Sequence, residues 1–207
     1  MITKEQFNFG REAAIALLHK AGVGVTELEL DGMDVADFGL NNYPAEGAQI
    51  ITLLDTKKVN CKIICLMEGQ VLPEHMHTAS LGEEGKEETF RVIYGTLHLF
   101  LPGEAGSEII QPHAVRYSDN SVKNSTGFVP IASAPGFRPP AGKERFYTCR
   151  RELILGPLGQ TTVDHDTPHW FAGGEGGCAL YTFSSWARDA YDPFTDPNVV
   201  RKTVVIG

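Results

Sequence analysis

The sequence predicts an all-β protein: a single, jelly-roll-like antiparallel β-barrel with an N-terminal helix and long loop insertions. Short apolar runs are separated by Gly, Pro, Asn and Asp, with no helical pattern between them. A chain of 207 residues suits one domain with a sizeable core. We expect one domain over 1–207, with a helix and extension over 1–45, a barrel over 46–190 that contains an insertion over about 102–142, and a C-terminal tail over 191–207.

The first element is a helix over residues 3–21. Thr3 and Gln6 have the capping-box pattern, and Gly22 follows the last helical residue. Apolar residues recur between them at helical spacing, namely Phe7, Ala14, Leu17, Leu18 and Ala21.

Strand-like runs follow the helix. The clearest are 49–54, 60–67, 88–94, 96–101, 145–155 and 178–184. Gly95 separates two of them, and we expect a tight turn there. Many short strands without intervening helices are typical of an antiparallel sandwich or barrel.

Two polar segments are too long for ordinary turns, 78–87 and about 102–142. The second contains Arg116, Lys123 and Arg138. It is either a substrate lid, in which case Arg138 is a candidate substrate-binding residue, or a mobile surface insertion. Both interpretations stay open.

Composition and charge exclude several classes of partner. The net charge of −8 argues against nucleic acid, which calls for clustered Lys and Arg. No apolar run approaches the length of a membrane span, and the first residues do not resemble a signal peptide. The four cysteines lack CxxC pairing and are predicted to be free thiols in a reducing compartment. We therefore expect a cytoplasmic protein.

The most informative segment contains two histidines, His75 and His77, on an extended run, where they point to the same side. Five residues separate Gly69 from His75, and six separate Glu88 from Gly95. These are the outer spacings of the first cupin motif, with the gap between the His pair and Glu88 stretched to ten residues. Imidazole and carboxylate together suit a divalent first-row metal ion.

A second cluster supplies the remaining candidate ligand. His169 stands where the second cupin motif ends in a histidine, and an apolar pair follows it. His165 competes with it but lies between two aspartates in a turn, where exposure is expected. We favour His169, because only it can point into a barrel.

The chain resembles the D-lyxose ketol-isomerases of the cupin superfamily over most of its length. The resemblance lies in five segments: 35–40, 73–77, 85–91 (Gly-Lys-Glu-Glu-Thr-Phe-Arg), 167–171 and 192–197. It implies a barrel whose mouth holds one divalent ion per chain, typically Mn²⁺, with Zn²⁺, Co²⁺ and Fe²⁺ as alternatives. The implied ligands are His75, His77, Glu88 and His169. Lys86 falls where related isomerases place a lysine that contacts substrate.

Such an activity interconverts D-lyxose and D-xylulose, with D-mannose and D-fructose as a second candidate pair, by moving hydrogen between C1 and C2 as a proton or a hydride. Proton transfer needs a titratable group within hydrogen-bond reach. Lys86 is one candidate, and we expect a neighbouring dication to lower its pKa. Glu152 is a second candidate for the base, unless it pairs outside the barrel with Arg150 or Arg151.

The tail carries several charged residues, Asp189, Asp192, Asp196 and Arg201. It either closes over the barrel mouth, which makes Asp192 a candidate for binding substrate, or stays solvated. Two other functions compete with the isomerase, a metal-dependent cupin oxygenase and a non-catalytic sugar-binding cupin. We also expect a homodimer, because the N-terminal extension lies outside the minimal barrel and open sheet edges need covering.

Overall fold

The structure is a computed structural model that describes residues 1–112, 126–131 and 137–207. Its helices are α1 (Lys4–Ala21) and α2 (Glu27–Asp31), with 3-10 turns at Glu144–Phe146 and Asp189–Tyr191. Its strands are β1 (Ile2–Thr3), β2 (Asp34–Ala36), β3 (Ala48–Asp55), β4 (Asn60–Leu66), β5 (Val71–His75), β6 (Glu88–Leu101), β7 (Gly106–Pro112), β8 (Thr126–Ile131), β9 (Arg151–Leu155), β10 (Gln160–Val163), β11 (His169–Ser184) and β12 (Val205–Ile206).

Ten of these strands form one sheet, in the order β2-β3-β4-β11-β6-β9-β7-β8, with β5 attached to β11 and β10 attached to β6. Its pairs are antiparallel except β7 with β9, and β1 pairs with β12 in parallel as a separate ribbon. The all-β prediction is confirmed. Among the described strands, however, the pairing follows an open path from β2 to β8, so the ring of strand pairs does not close.

The sheet is buried on both faces where α1 covers it. Ile50 and Ile64 point into the main core, whereas their neighbours Ile51 and Ile63 point towards the helix. The helix covers them with Ala14, Leu17 and Leu18, as its apolar spacing predicts. Full burial of a leucine contributes about 1.5–3 kcal/mol, so this contact holds α1 firmly on the sheet.

The ends of α1 also follow the prediction. Thr3 accepts a hydrogen bond from the N–H of Gln6, whose side chain accepts one from the N–H of Thr3. Gly22 ends the helix at φ 67°. A second capping box, Thr26 with Glu29, starts α2, which the sequence analysis did not identify.

The predicted turn at Gly95 is wrong. Gly95 lies inside the 14-residue strand β6 and pairs with Cys178. Its φ of 72° and its approach to Gly177 require glycine, because a Cβ would lie 2.0 Å from the Gly177 carbonyl oxygen. Opposite it, β11 carries extra residues between Gly173 and Cys178, so the glycines form a bulge within two long strands.

The predicted strand over 145–155 is shorter than expected. Only Arg151–Leu155 pairs as β9, and a 3-10 turn occupies Glu144–Phe146. The N–H groups of Thr148 and Cys149 donate hydrogen bonds to the Glu74 carboxylate, so these N–H groups cannot pair with a neighbouring strand.

The insertion over about 102–142 contains the β7–β8 hairpin, and β7 extends the sheet beside β9. Arg116 and Lys123 lie outside the described residues. Neither helix in the described part of the chain is long and apolar enough to cross a membrane.

Candidate active site

Four side chains meet at one end of the sheet: His75, His77, Glu88 and His169. His75 ends β5 and is paired across the ladder with His169, the first residue of β11. Glu88 begins β6 on the other side of β11. One potential ligand atom from each residue lies within 4.8 Å of the others, and all four residues are buried. We call these four residues the His/Glu cluster.

Two histidines of the cluster, His75 and His169, are oriented by a hydrogen bond at Nδ1, and the third, His77, has a carboxylate beside its Nδ1. The Nδ1 atom of His75 lies 2.9 Å from the Pro73 carbonyl oxygen, and that of His169 lies 2.9 Å from the Thr167 carbonyl oxygen. The Nδ1 atom of His77 lies 3.0 Å from the Asp192 carboxylate. Carbonyl oxygens only accept, so Nδ1 of His75 and His169 carries the proton and Nε2 of each keeps a lone pair.

His75 and His169 therefore each present an Nε2 lone pair to the centre of the cluster. His77 Nε2 lies 3.1 Å from Glu88 Oε2, and His169 Nε2 is buried without a hydrogen-bond partner. An unpaired buried polar atom is costly unless something binds it. Histidines that ligate metals donate their other ring N–H to a carbonyl or carboxylate, as His75 and His169 do. The donor set thus fits a divalent cation.

Electrostatics within the cluster keep most of the donors in the ligand form. Burial, with the His169 and His77 rings, holds the pKa of His75 well below its ordinary value. Burial likewise lowers the pKa of His169 to about 4. Burial alone would raise the pKa of Glu88, but Lys86 and His77 hold it well below its usual range.

His77 behaves differently. Burial disfavours its charged form, but the hydrogen bonds to Asp192 and Glu88 prevail and raise its pKa. A cation and this proton compete for the same lone pairs.

Lys86 lies beside the cluster, as the sequence predicts, and is buried. Its Nζ donates to Asp189 at 2.8 Å and lies 3.8 Å from Glu88. The predicted fall in its pKa depends on a bound dication, and the chain's own charges act in the other direction. Burial acts to lower the pKa, but Glu88, Asp189 and Asp192 together raise it, so Lys86 is an ammonium. A bound cation would act in the opposite direction.

Lys62 is a site residue that the sequence analysis missed. It lies on β4, is buried, and forms an ion pair with Asp189. Burial would raise the pKa of Asp189, but Lys86 and Lys62 outweigh it and hold the pKa well below its usual range. A lysine inside the apolar run Cys61–Leu66 was the signal that could have identified it, because an unpaired lysine is seldom buried.

A cavity of about 40 Å³ lies beside the cluster. Its polar lining includes Lys62, Lys86, Asp189, Asp192 and Arg201. Its apolar lining includes Phe38, Phe171 and Phe194. Asp192 therefore lies at the cavity, as predicted, and the tail does cover it. A wider groove of about 520 Å³ runs past Glu84 and Trp186, but it contains none of the three cluster histidines, so we place the site at the smaller cavity.

Two candidate residues are not brought to the cluster. Glu152 pairs across the sheet with Phe100, on the same face as Trp170 and opposite to Leu153, which points into the main core. Its carboxylate accepts from His98 at 2.7 Å and from Ser107, instead of pairing with Arg150 or Arg151. Arg138 is exposed and does not line the cavity.

The choice of His169 over His165 agrees with the geometry. His165 is 47% exposed and lies 3.2 Å from its neighbour Asp164, whereas His169 is fully buried in the cluster. Among the described residues, His165 belongs to no group of three or more potential metal ligands.

Comparison with solved structures identifies the architecture. The L-ribose isomerase of Acinetobacter sp. DL28, in complex with L-ribose, matches with a TM-score of 0.72 over 99% of this chain and 98% of that chain, at 16% identity. The Geodermatophilus obscurus L-ribose isomerase matches with a TM-score of 0.73 over 99% and 98%, at 14% identity. At such identities the likeness concerns the fold alone. Fold and site together define an all-β protein of the cupin type with a buried His/Glu group suited to a metal ion.

Sequence relatives narrow this class to a family. The chain is 36% identical over 195 residues to the D-lyxose ketol-isomerase of Cohnella laeviribosi, covering 94% of this chain and 93% of the relative. It is 34% identical over 201 residues to the D-lyxose/D-mannose isomerase of Thermosediminibacter oceani, covering 97% of each. The chain belongs to the D-lyxose ketol-isomerase family, whose members are aldose–ketose isomerases. No protein-family model matches the chain.

Proposed function

We propose that this protein is a metal-dependent aldose–ketose isomerase that interconverts D-lyxose and D-xylulose and also accepts the pair D-mannose and D-fructose. The observation that carries the proposal is the buried His/Glu cluster with Lys86 beside it, in a chain of this family. The relatives' names supply the sugars.

The proposed ligands of the ion are His75, His77, Glu88 and His169, with one ion per chain. Mn²⁺ is our first choice, with Zn²⁺, Co²⁺ and Fe²⁺ as alternatives, because imidazole and carboxylate donors suit all four. When bound, such an ion supplies Lewis-acid polarisation of a sugar's carbonyl and hydroxyl oxygens. Asp192 holds the ring of His77 in the orientation that presents Nε2.

Lys86 is the proposed acid–base and substrate-binding residue. Its ammonium points into the cavity and is held there by Asp189, which also pairs with Lys62. An ammonium in this place donates to a sugar oxygen that gains negative charge while hydrogen moves between C1 and C2. Lys62 is a second donor on the same wall, and Asp192 is an acceptor for a sugar hydroxyl.

Sugar entry requires the cavity to open. Pockets for small ligands hold about 300–1,000 Å³, and this cavity holds about 40 Å³. The tail covers it through Asp189, Asp192 and Phe194. We therefore propose that side chains of the cavity wall rearrange when substrate enters, while the tail keeps its register beside His75.

The decisive experiment uses metal-stripped protein, reloaded with Mn²⁺, and measures ketose formation from each pentose and hexose aldose. We expect turnover of D-lyxose above all, then D-mannose, and none without metal. Oxygen consumption with a preference for iron would indicate a cupin oxygenase instead. Sugar affinity without turnover would indicate a non-catalytic sugar-binding cupin.

We further propose a cytoplasmic homodimer. The four cysteines are free thiols, as expected in a reducing compartment. Phe9, Ile15 and Leu28 on the N-terminal helices are exposed and provide apolar surface for a second chain. Light scattering at micromolar protein should give the mass of two chains. A monomer would reject the dimer without affecting the fold or the site.

A further inference from the structure

A short ladder joins the C-terminal tail to the strand that carries His75. The N–H of Thr195 donates to the Glu74 carbonyl oxygen at 3.0 Å, and the N–H of Met76 donates to the Pro193 carbonyl oxygen at 3.1 Å. Phe194 is thereby paired antiparallel with His75, and its ring stacks on the imidazole at a centroid distance of 5.3 Å. Continuing this register places Asp192 opposite His77.

The Glu74 side chain ties this ladder to the rest of the protein. It is 1% exposed and points away from the cluster. Its carboxylate accepts four hydrogen bonds, from the N–H groups of Thr148 and Cys149 and from the hydroxyls of Thr148 and Thr195. Only one of them, from the Thr195 hydroxyl at 2.8 Å, comes from the tail.

We infer that Glu74, acting through Thr195, is a positioning residue that fixes the register of the tail and so places the Asp192 carboxylate on His77 Nδ1. The inference rests on the proposed metal site. A slip of one residue would put Tyr191 or Pro193 opposite His77. Neither side chain has a carboxylate to hold the imidazole tautomer.

The size of the effect follows from how metal sites depend on their supporting groups. Loss of a hydrogen-bond partner behind a ligating histidine typically weakens metal affinity about 10–100-fold. A contact that stabilises only the fold would instead lower thermal stability and leave metal affinity unchanged. Mn²⁺ affinity measured without sugar therefore separates the two roles.

Two threonines provide a matched pair of variants. Thr195 and Thr148 each donate a hydroxyl to the same Glu74 oxygen at 2.8 Å, and only Thr195 belongs to the tail. We expect Thr195→Val to raise the Mn²⁺ dissociation constant about tenfold or more. Thr148→Val should change it by less than about twofold, as is usual away from a functional contact. Thr195→Ser keeps the hydroxyl and should restore the parental constant.

Mn²⁺ binding is measured by equilibrium dialysis on the full chain, with the thermal midpoint recorded for each variant. Equal Mn²⁺ constants for Thr195→Val and Thr148→Val would overturn the inference, and so would failure of Thr195→Ser to restore binding. If the parent itself binds no stoichiometric Mn²⁺, the proposed metal site fails instead. Glu74→Gln leaves only one accepting oxygen for four donors and should weaken binding at least as much as Thr195→Val.

Discussion

Among the described residues two His–Glu pairs are in contact, one buried and one partly exposed, and they have opposite characters. His77 and Glu88 lie 3.1 Å apart in the His/Glu cluster, where lone pairs converge and His169 Nε2 has no partner. His98 and Glu152 lie 2.7 Å apart on the other face of the sheet, where Ser107 supplies a further donor to the carboxylate. The same two residue types thus form an under-satisfied group in one place and a satisfied structural contact in the other. What distinguishes a ligand site is the surplus of acceptors, since the two pairs share the same residue types and a buried carboxylate.

The largest effect is expected from removing a residue of the His/Glu cluster that surrounds the His77–Glu88 pair. His75→Ala removes one ligand and should weaken Mn²⁺ binding more than the roughly 10–100-fold loss typical of supporting residues, with turnover lost in parallel. His98→Ala is the matched control and should keep stoichiometric metal. Metal analysis after dialysis measures both. Full Mn²⁺ content in His75→Ala would remove His75 from the proposed ligand set.

The next test concerns the Lys86 ammonium group beside the cluster. Lys86→Met keeps most of the side-chain volume but removes the charge and the proton, so turnover of D-lyxose should fall about 100-fold or more with metal content unchanged. Asp189 retains its ion pair with Lys62, which supports the fold. Lys143→Met is the control, because Lys143 is ion-paired with Glu46 and does not line the cavity. Turnover within about threefold of the parent would return Lys86 to a structural role.

The satisfied pair should respond in stability and not in chemistry. In Glu152→Gln, the side-chain amide has only one accepting oxygen for the donors His98 and Ser107. The substitution should therefore lower the free energy of unfolding by about 1–3 kcal/mol. Turnover should stay within about threefold of the parent, whereas loss of a catalytic base costs about 100-fold. Glu108→Gln breaks a more exposed ion pair with Arg151 and should cost about 1 kcal/mol or less. Denaturant titration measures the free energy of unfolding, and steady-state kinetics measures turnover. A large loss of turnover in Glu152→Gln would indicate that Glu152 is the catalytic base after all.

The smallest expected effect is a pH dependence of the stability of the metal-free protein. The pKa values of His75 and His169 are lower in the folded chain than in the unfolded chain, so between the two values the unfolded state binds more protons. Stability should therefore fall as the pH is lowered from about 7 to about 5. The raised pKa of His77 acts in the opposite sense and reduces the slope. Thermal midpoints in chelator should show a weaker slope for His169→Gln than for the parent, and an equal slope would contradict the assignment.

Some features could be read from local patterns. The helix α1 begins and ends where its capping residues lie, because caps act through neighbours in the chain. The His75–x–His77 alternation and the glycine-framed spacing identified three residues of the cluster, and the second cupin motif identified His169. Family membership followed from contiguous segments such as 85–91.

Other features depended on partners distant in sequence. Gly95 has the residue type of a turn, but its approach to Gly177 makes it part of a bulge between long strands. The segment before β9 has strand-like residues, but the Glu74 carboxylate accepts hydrogen bonds from two of its N–H groups, so they do not pair with a strand. In both cases a contact with a remote residue overrides the local preference.

The sequence by itself determined the all-β class, the capped helix and the four residues of the His/Glu cluster, because each is encoded in local patterns along the chain. It also indicated the family, through the resemblance of contiguous segments. Only the tertiary structure decided which face of the sheet each charged residue occupies. It turned Glu152 away from the cluster, brought Lys62 to it, and set Asp192 on His77 through the register of the tail. The physical reason is that strand periodicity gives alternation but not the absolute side, and only the packing of the strands selects that side.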